Sequence, residues 1–205
     1  MLVEYFIKGG IFMYPIMAVF IFGLIISLER FYSLAVAEIQ TKKFLQDVED
    51  TLRDDGVEAA KTYCAESSSP VASMYHEALS RVDQGIEKVE KTIASAGSLE
   101  MAFLEKNQVW LSTVITIGPM LGFTGTVAGM VKAFDDIANA NDISPTIVAT
   151  GISQALLTTL FGLIVAMIIQ VFQNWFLTRI DKLIIDMERS SVTLLDVLAE
   201  KNIKK

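Results

Sequence analysis

Projected on a helical wheel at about 100° per residue, segment 147–176 places Thr150, Gly151, Gln154, Ala155, Thr158, Thr159, Gly162 and Ala166 on one half. Leu156, Leu160, Leu163, Ile164 and Met167 fall on the other half. Hydroxyls and a primary amide can line a chain of water molecules or coordinate Na⁺, but none of them changes charge in the working pH range. Moving a proton through a membrane ordinarily needs Asp, Glu or His as the titrating group. Neither 147–176 nor the other long apolar segment, 109–131, contains one. An ion pathway built on these faces therefore needs a carboxylate from a second polypeptide. Packing is the plainer reading of the same residues, since a threonine can satisfy its hydroxyl on its own helix and small residues serve helix contacts. Gln154 resists that reading, because a primary amide at membrane depth is costly unless it finds a helix neighbour or a wet cavity.

The elements that must position these residues are membrane-crossing helices. Segments 109–131 and 147–176 carry no Asp, Glu, Lys or Arg, and at about 1.5 Å per residue each is long enough to cross a hydrocarbon core of about 30 Å. In 109–131, Gly118, Gly122, Gly125 and Gly129 form two GxxxG pairs, which let helix backbones approach closely. Gly151 and Gly162, on the small-polar half of 147–176, are grouped with them as packing positions. Pro119 removes a backbone donor beside the stripe, which predicts a kink or a freed carbonyl. A third apolar run, 11–28, ends at Glu29 and Arg30. No A-x-A-like site follows it, so an uncleaved first span is expected in place of a signal peptide.

Apolar residues make up 52% of the 205, which places the chain outside ordinary soluble domains. The net charge of -7 and the lack of a basic face argue against nucleic-acid binding. Cys64 and His76 are each the only residue of their type, so no intrachain disulfide and no cysteine-based metal site is expected. His76 lacks metal-ligand spacing and reads as a solvated helix residue. No nucleophile-base pair, metal cluster or phosphate loop suggests an enzyme, and no cofactor is expected.

Lysine and arginine assign the sides of the membrane. The connection 29–108 holds nine and the tail 177–205 holds six, whereas the arm 1–10 and the short loop 132–146 have one each, Lys8 and Lys132. By the positive-inside rule the long connection and the tail are cytoplasmic, and the N-terminus and short loop are periplasmic. Trp110 and Trp175 then fall at the cytoplasmic ends of their spans, where indoles favour the headgroup region. Lys132 precedes Asp135 and Asp136 by three and four residues and is expected to pair with them, a place at an ion entrance being the alternative. Phe44, Leu45, Val48 and Leu52 recur at helical spacing, as do Met74, Leu79, Val82, Ile86, Val89 and Ile93, with a break at Ser67–Ser69 and Pro70. The expected fold is all-α: one domain over 1–205, with three transmembrane helices, the second and third continuing into a cytoplasmic helical bundle.

With the motifs in place, the chain resembles the ExbB/TolQ/MotA family, the larger subunits of ion-driven inner-membrane motors. GGIFMYPIMAVFIFGLIISLERF (9–31) is similar to the family's first span, GPMLGFTGTVAGMVKAF (118–134) to its second, and GISQALLTTLFGLIVAM (151–167) to its third. The resemblance implies a bacterial inner-membrane protein that transports H⁺ or Na⁺ as a pentamer around an ExbD/TolR-like single-span partner, which supplies an essential Asp. It maps the pore-facing threonines onto Thr126 and Thr159, with Thr158 adjacent, and counts Gln154 with them on the pathway. The family commonly has Glu where this chain has Gln154, and the Thr158–Thr159 pair is reminiscent of the branch that includes Na⁺-driven members. Three spans favour the ExbB/TolQ branch over the four-span MotA branch. The expected output is energising TonB-dependent outer-membrane transport, with a TonB- or TolA-like protein as a further partner. TolQ-like envelope maintenance and gliding or flagellar propulsion are alternatives, and a non-conducting membrane scaffold is the alternative from another class.

Overall fold

The computed structural model describes residues 2–140 and 145–203, apart from the side chains of Leu2, Ala140, Ile147, Lys201, Asn202 and Ile203. The middle of the expected short loop, 141–144, and the terminal residues Met1, Lys204 and Lys205 lie outside the described residues. Among the described residues the regular structure is all helical, joined by turns and short connections. The helices are α1 (Leu2–Lys8), α2 (Met13–Asp54), α3 (Val57–Glu66), α4 (Pro70–Leu79), α5 (Ile86–Leu104), α6 (Gln108–Ala140) and α7 (Pro145–Ile203). Three stretches, within α2, α5–α6 and α7, are long and apolar enough to cross a membrane.

Two of the spans continue as unbroken helices, but they are the first and third, α2 and α7. The second span begins afresh at Gln108, after a turn in which Asn107 adopts φ 68. Asn is one of the few non-glycine residues that tolerates the left-handed region, so a helix that apolar periodicity alone would carry through 93–109 stops there. The apolar series from Met74 to Ile93 is likewise cut, by a short 3₁₀ segment, Val82–Gln84, and Gly85 at φ 92. The break at Ser67–Pro70 is present: Ser69 accepts a hydrogen bond from the Ala72 N–H at 3.0 Å and Pro70 occupies the first turn of α4. Most of the segment expected as the loop 132–146 is helical, since α6 runs to Ala140 and α7 starts at Pro145.

The chain divides into two compact units, 1–29 with 107–174 and 30–106 with 175–205. In the first, Met13, Ile16, Leu111, Val114 and Ile169 are buried, and Gly23 of α2 lies close against Val114 of α6 and Ile169 of α7. The second is organised by rings and charges. Phe44 stacks on Tyr63 and meets Tyr75 edge-on, both with centroids 5.6 Å apart, and the buried Tyr75 hydroxyl donates to the Ser190 carbonyl at 2.7 Å. Glu38 receives Arg179 at 2.8 Å, Lys182 at 2.9 Å and Lys42 at 3.0 Å. The hydrogen bonds from Lys182 and Lys42 hold its carboxyl down at about 2. Burial pushes the Cys64 thiol up to about 12, so it stays protonated and inert.

Candidate functional site

The seam between α6 and α7 starts from its glycines. A Cβ on Gly118 would stand 3.1 Å from the Gly162 carbonyl oxygen, one on Gly122 2.8 Å from the Thr158 carbonyl oxygen, and one on Gly125 2.6 Å from Thr158 Cβ. Gly129 lies against Ala155, Gly151 against Ala133, and Gly162 against the Gly118 carbonyl. Each of the six glycines singled out in the sequence therefore meets backbone or Cβ of the opposite helix, which is the use small residues have where no hydrophobic drive brings helices together. Pro119 sits within this stripe, inside a helix that continues past it.

Bringing the backbones this close places three threonine hydroxyls on two carbonyl oxygens. Thr126 Oγ1 is 3.0 Å from the Ala155 carbonyl oxygen and 3.3 Å from that of Gly122. Thr158 Oγ1 is 2.8 Å from the Ala155 oxygen and 3.2 Å from the Gly122 oxygen, and Thr159 Oγ1 is 3.2 Å from the latter. Thr126 and Thr159 are also hydrogen-bonded to each other through their hydroxyls. The sequence leaves open that threonines merely bond back to their own helix; here all three reach across.

Each hydroxyl brings one proton and two lone pairs. The three protons have acceptors inside the cluster, so its unused capacity is lone pairs. Such a site accepts a hydrogen bond from a protonated carboxyl group or coordinates a cation. It can greet a carboxylate only after one of its own bonds is broken. Thr126 and Thr159 are half-buried and able to meet a further group, whereas Thr158 is 1% exposed and is held in the helix contact.

Gln154 lies one turn from Thr158 on α7 and lines a cavity of about 270 Å³ with Lys132, Asp136, Thr146 and Thr150. Its amide rests against Gly10, which has φ 74 and on which a Cβ would overlap the Gln154 Nε2. Among the described residues Lys132 forms no ion pair with Asp135 or Asp136. All three are exposed, and Lys placed before the acid is the weaker order for such pairs. Lys132 and Asp136 contribute to the cavity wall instead.

A second polar cluster on the same two helices was not singled out in the sequence. Gln173 Nε2 donates to Ser112 Oγ at 2.7 Å and to the Gln108 carbonyl oxygen at 3.2 Å. Ser112 precedes Thr126 by 14 residues and Gln173 follows Thr159 by 14. That coincidence in two antiparallel helices is the signal that would have found it.

The profile of the MotA/TolQ/ExbB proton channel family matches residues 66–189, more than half of the chain. A protein of Methanothermobacter thermautotrophicus named as an ExbB homolog is 31% identical over 179 residues, 87% of this chain and 63% of its own length. The biopolymer transport protein ExbB of Salmonella typhimurium is 32% identical over 45% of this chain and 36% of its own. The Tol-Pal system protein TolQ of Pseudomonas aeruginosa is 33% identical over 50% of this chain and 44% of its own. The chain thus spans less than two thirds of the length of these curated relatives.

Proposed function

Because the chain belongs to the MotA/TolQ/ExbB proton channel family, we propose that it is the larger subunit of an ion-driven motor, surrounding a single-span ExbD/TolR-like partner as a pentamer. Thr126 and Thr159 face the partner's Asp, and the ion passes as that carboxyl loads and unloads. The observation that carries this reading is the hydroxyl pair between Thr126 and Thr159, with its protons satisfied and lone pairs to spare. A protonated Asp docks there as a donor and is repelled on ionising, so protonation and the position of the partner helix become coupled. The same lone pairs suit Na⁺, and measuring flux under a proton gradient or a sodium gradient alone identifies the ion.

Each elementary charge crossing about 100 mV releases about 2.3 kcal/mol, so a few ions per step supply useful work. The work is delivered, on this reading, to a TonB-like protein that energises outer-membrane transport. Both ExbB and TolQ proteins are among the relatives, which supports Tol-type envelope maintenance as the second reading. Loss of siderophore uptake on deletion indicates the first output, and detergent sensitivity with normal uptake indicates the second. The N-terminus and the 132–146 connection are periplasmic and the C-terminus cytoplasmic in either case.

The test is Thr126→Val with Thr159→Val, reconstituted with the single-span partner in vesicles. Flux should fall to background while the subunits still co-purify. Undiminished flux in the double variant removes these residues from the pathway, and no flux from the unaltered complex leaves a scaffold.

A further inference from the structure

The Gln108 side chain is 8% exposed, and neither its Nε2 nor its Oε1 has a hydrogen-bond partner. A buried amide left in this condition bears the full desolvation penalty of each unpaired group, and in native proteins such groups are ordinarily met by ordered water. Gln108 does not stand alone. Its carbonyl oxygen and Ser112 Oγ both accept from Gln173 Nε2, and Gln173 is itself 7% exposed. Two buried primary amides and a hydroxyl thus gather where α6 begins, with more donors and acceptors than the protein pairs. The 14-residue offset from Thr126 and Thr159 is about 21 Å of helix and brings the wheel to within about 40° of the same direction. Between the two clusters the seam is closed by Gly118 against Gly162 and by buried Val114 and Val165.

We infer that Gln108, Ser112 and Gln173 form a second, hydrated site on the α6–α7 seam, which binds water through the Gln108 amide and receives the transported cation as it leaves for the aqueous phase. The amide oxygens can accept from water or face a monovalent cation, and the N–H groups donate to water in the cation's hydration shell. They do not titrate, so this site passes the ion on without holding it at a particular pH. The cation step rests on the proposed channel function; the hydration does not.

The two parts are tested separately in the full complex. With Cys64 replaced by Ser, Gln108→Cys and the fully buried Leu111→Cys are each exposed to a small, water-soluble methanethiosulfonate in inverted vesicles. Only a thiolate in contact with water reacts, so Gln108→Cys should be modified at least about tenfold faster than Leu111→Cys. Equal rates mean a dry core and overturn the site. Gln108→Leu then tests the cation step: flux should drop about tenfold with co-purification and melting temperature preserved, and Gln108→Asn should restore part of it. Flux unchanged in Gln108→Leu while Thr126→Val/Thr159→Val abolishes it overturns the exit role and leaves the channel reading intact. If the unaltered complex conducts nothing, the channel reading and the exit role both fall, and the labelling rates still decide the hydration.

Discussion

The two units of the chain draw on the same long helices, α2 and α7, and hold them by opposite means. In the unit of 1–29 and 107–174, the contacts of α6 and α7 are backbone against backbone, with glycine where any side chain would intrude and hydroxyls bonding across. In the unit of 30–106 and 175–205, α7 meets its neighbours through large rings and ion pairs, Tyr75 on Ser190 and Arg179 on Glu38. The solvents explain the difference. Lipid provides no hydrophobic force between apolar helices, so close approach and hydrogen bonds must supply specificity. Water rewards burial of Phe44 and Tyr75 directly and tolerates exposed cations around a partly sheltered acid.

Substitutions should therefore fail differently in the two units. The largest effect is expected from Gly125→Leu, whose added side chain must occupy the place of Thr158 Cβ and Oγ1. Separating the helices should cost about 3 kcal/mol or more, seen as loss of the assembled complex in detergent. Thr126→Val with Thr159→Val comes next: ion flux should go to background while stability changes by only about 1 kcal/mol, because the isosteric methyls still fill the seam. A large loss of stability there would mean that the hydroxyls are structural. Tyr75→Phe in the other unit should lower its unfolding free energy by about 1 kcal/mol through the lost bond to Ser190, with flux unaffected.

Glu38→Gln should have the smallest effect, about 1 kcal/mol or less at neutral pH, because the three cations around it are substantially exposed and screened by water. Its signature is in the pH dependence. The folded carboxyl titrates at about 2 against an ordinary 4.5, so its contribution is complete above about pH 4.5 and is lost as pH falls toward 2. Acid titration of melting temperature should flatten across that window in the variant. An unchanged acid limb would mean that the ion-pair cluster contributes nothing to holding the second unit.

The spans and the glycine seam were legible in the sequence because lipid enforces both: charge-free length for crossing and small residues for contact. Thr126, Thr158 and Thr159 could be named, but which hydroxyl turns inward depends on the rotation of two helices about their contact, and only coordinates show that Thr158 is buried. The interruptions at Asn107 and Gly85 were hidden for another reason. Each is a single residue in the left-handed region, inside apolar patterns whose period continues on both sides. Gln108 and Gln173 escaped notice because amides at the ends of apolar runs look like ordinary interface residues until their burial is known.

The contact between Gly10 and Gln154 has a consequence for how such sequences diverge. In the turn before α2, a side chain at position 10 would displace the tip of Gln154, a residue on another span, and would have to adopt φ 74. A lineage that exchanges Gln154 for a shorter side chain frees Gly10 from the steric half of its constraint and leaves the half set by its backbone at φ 74. The two positions, one before the first span and one in the third, should therefore carry a record of each other's history, since a side chain at 10 requires the tip of residue 154 to move or shorten.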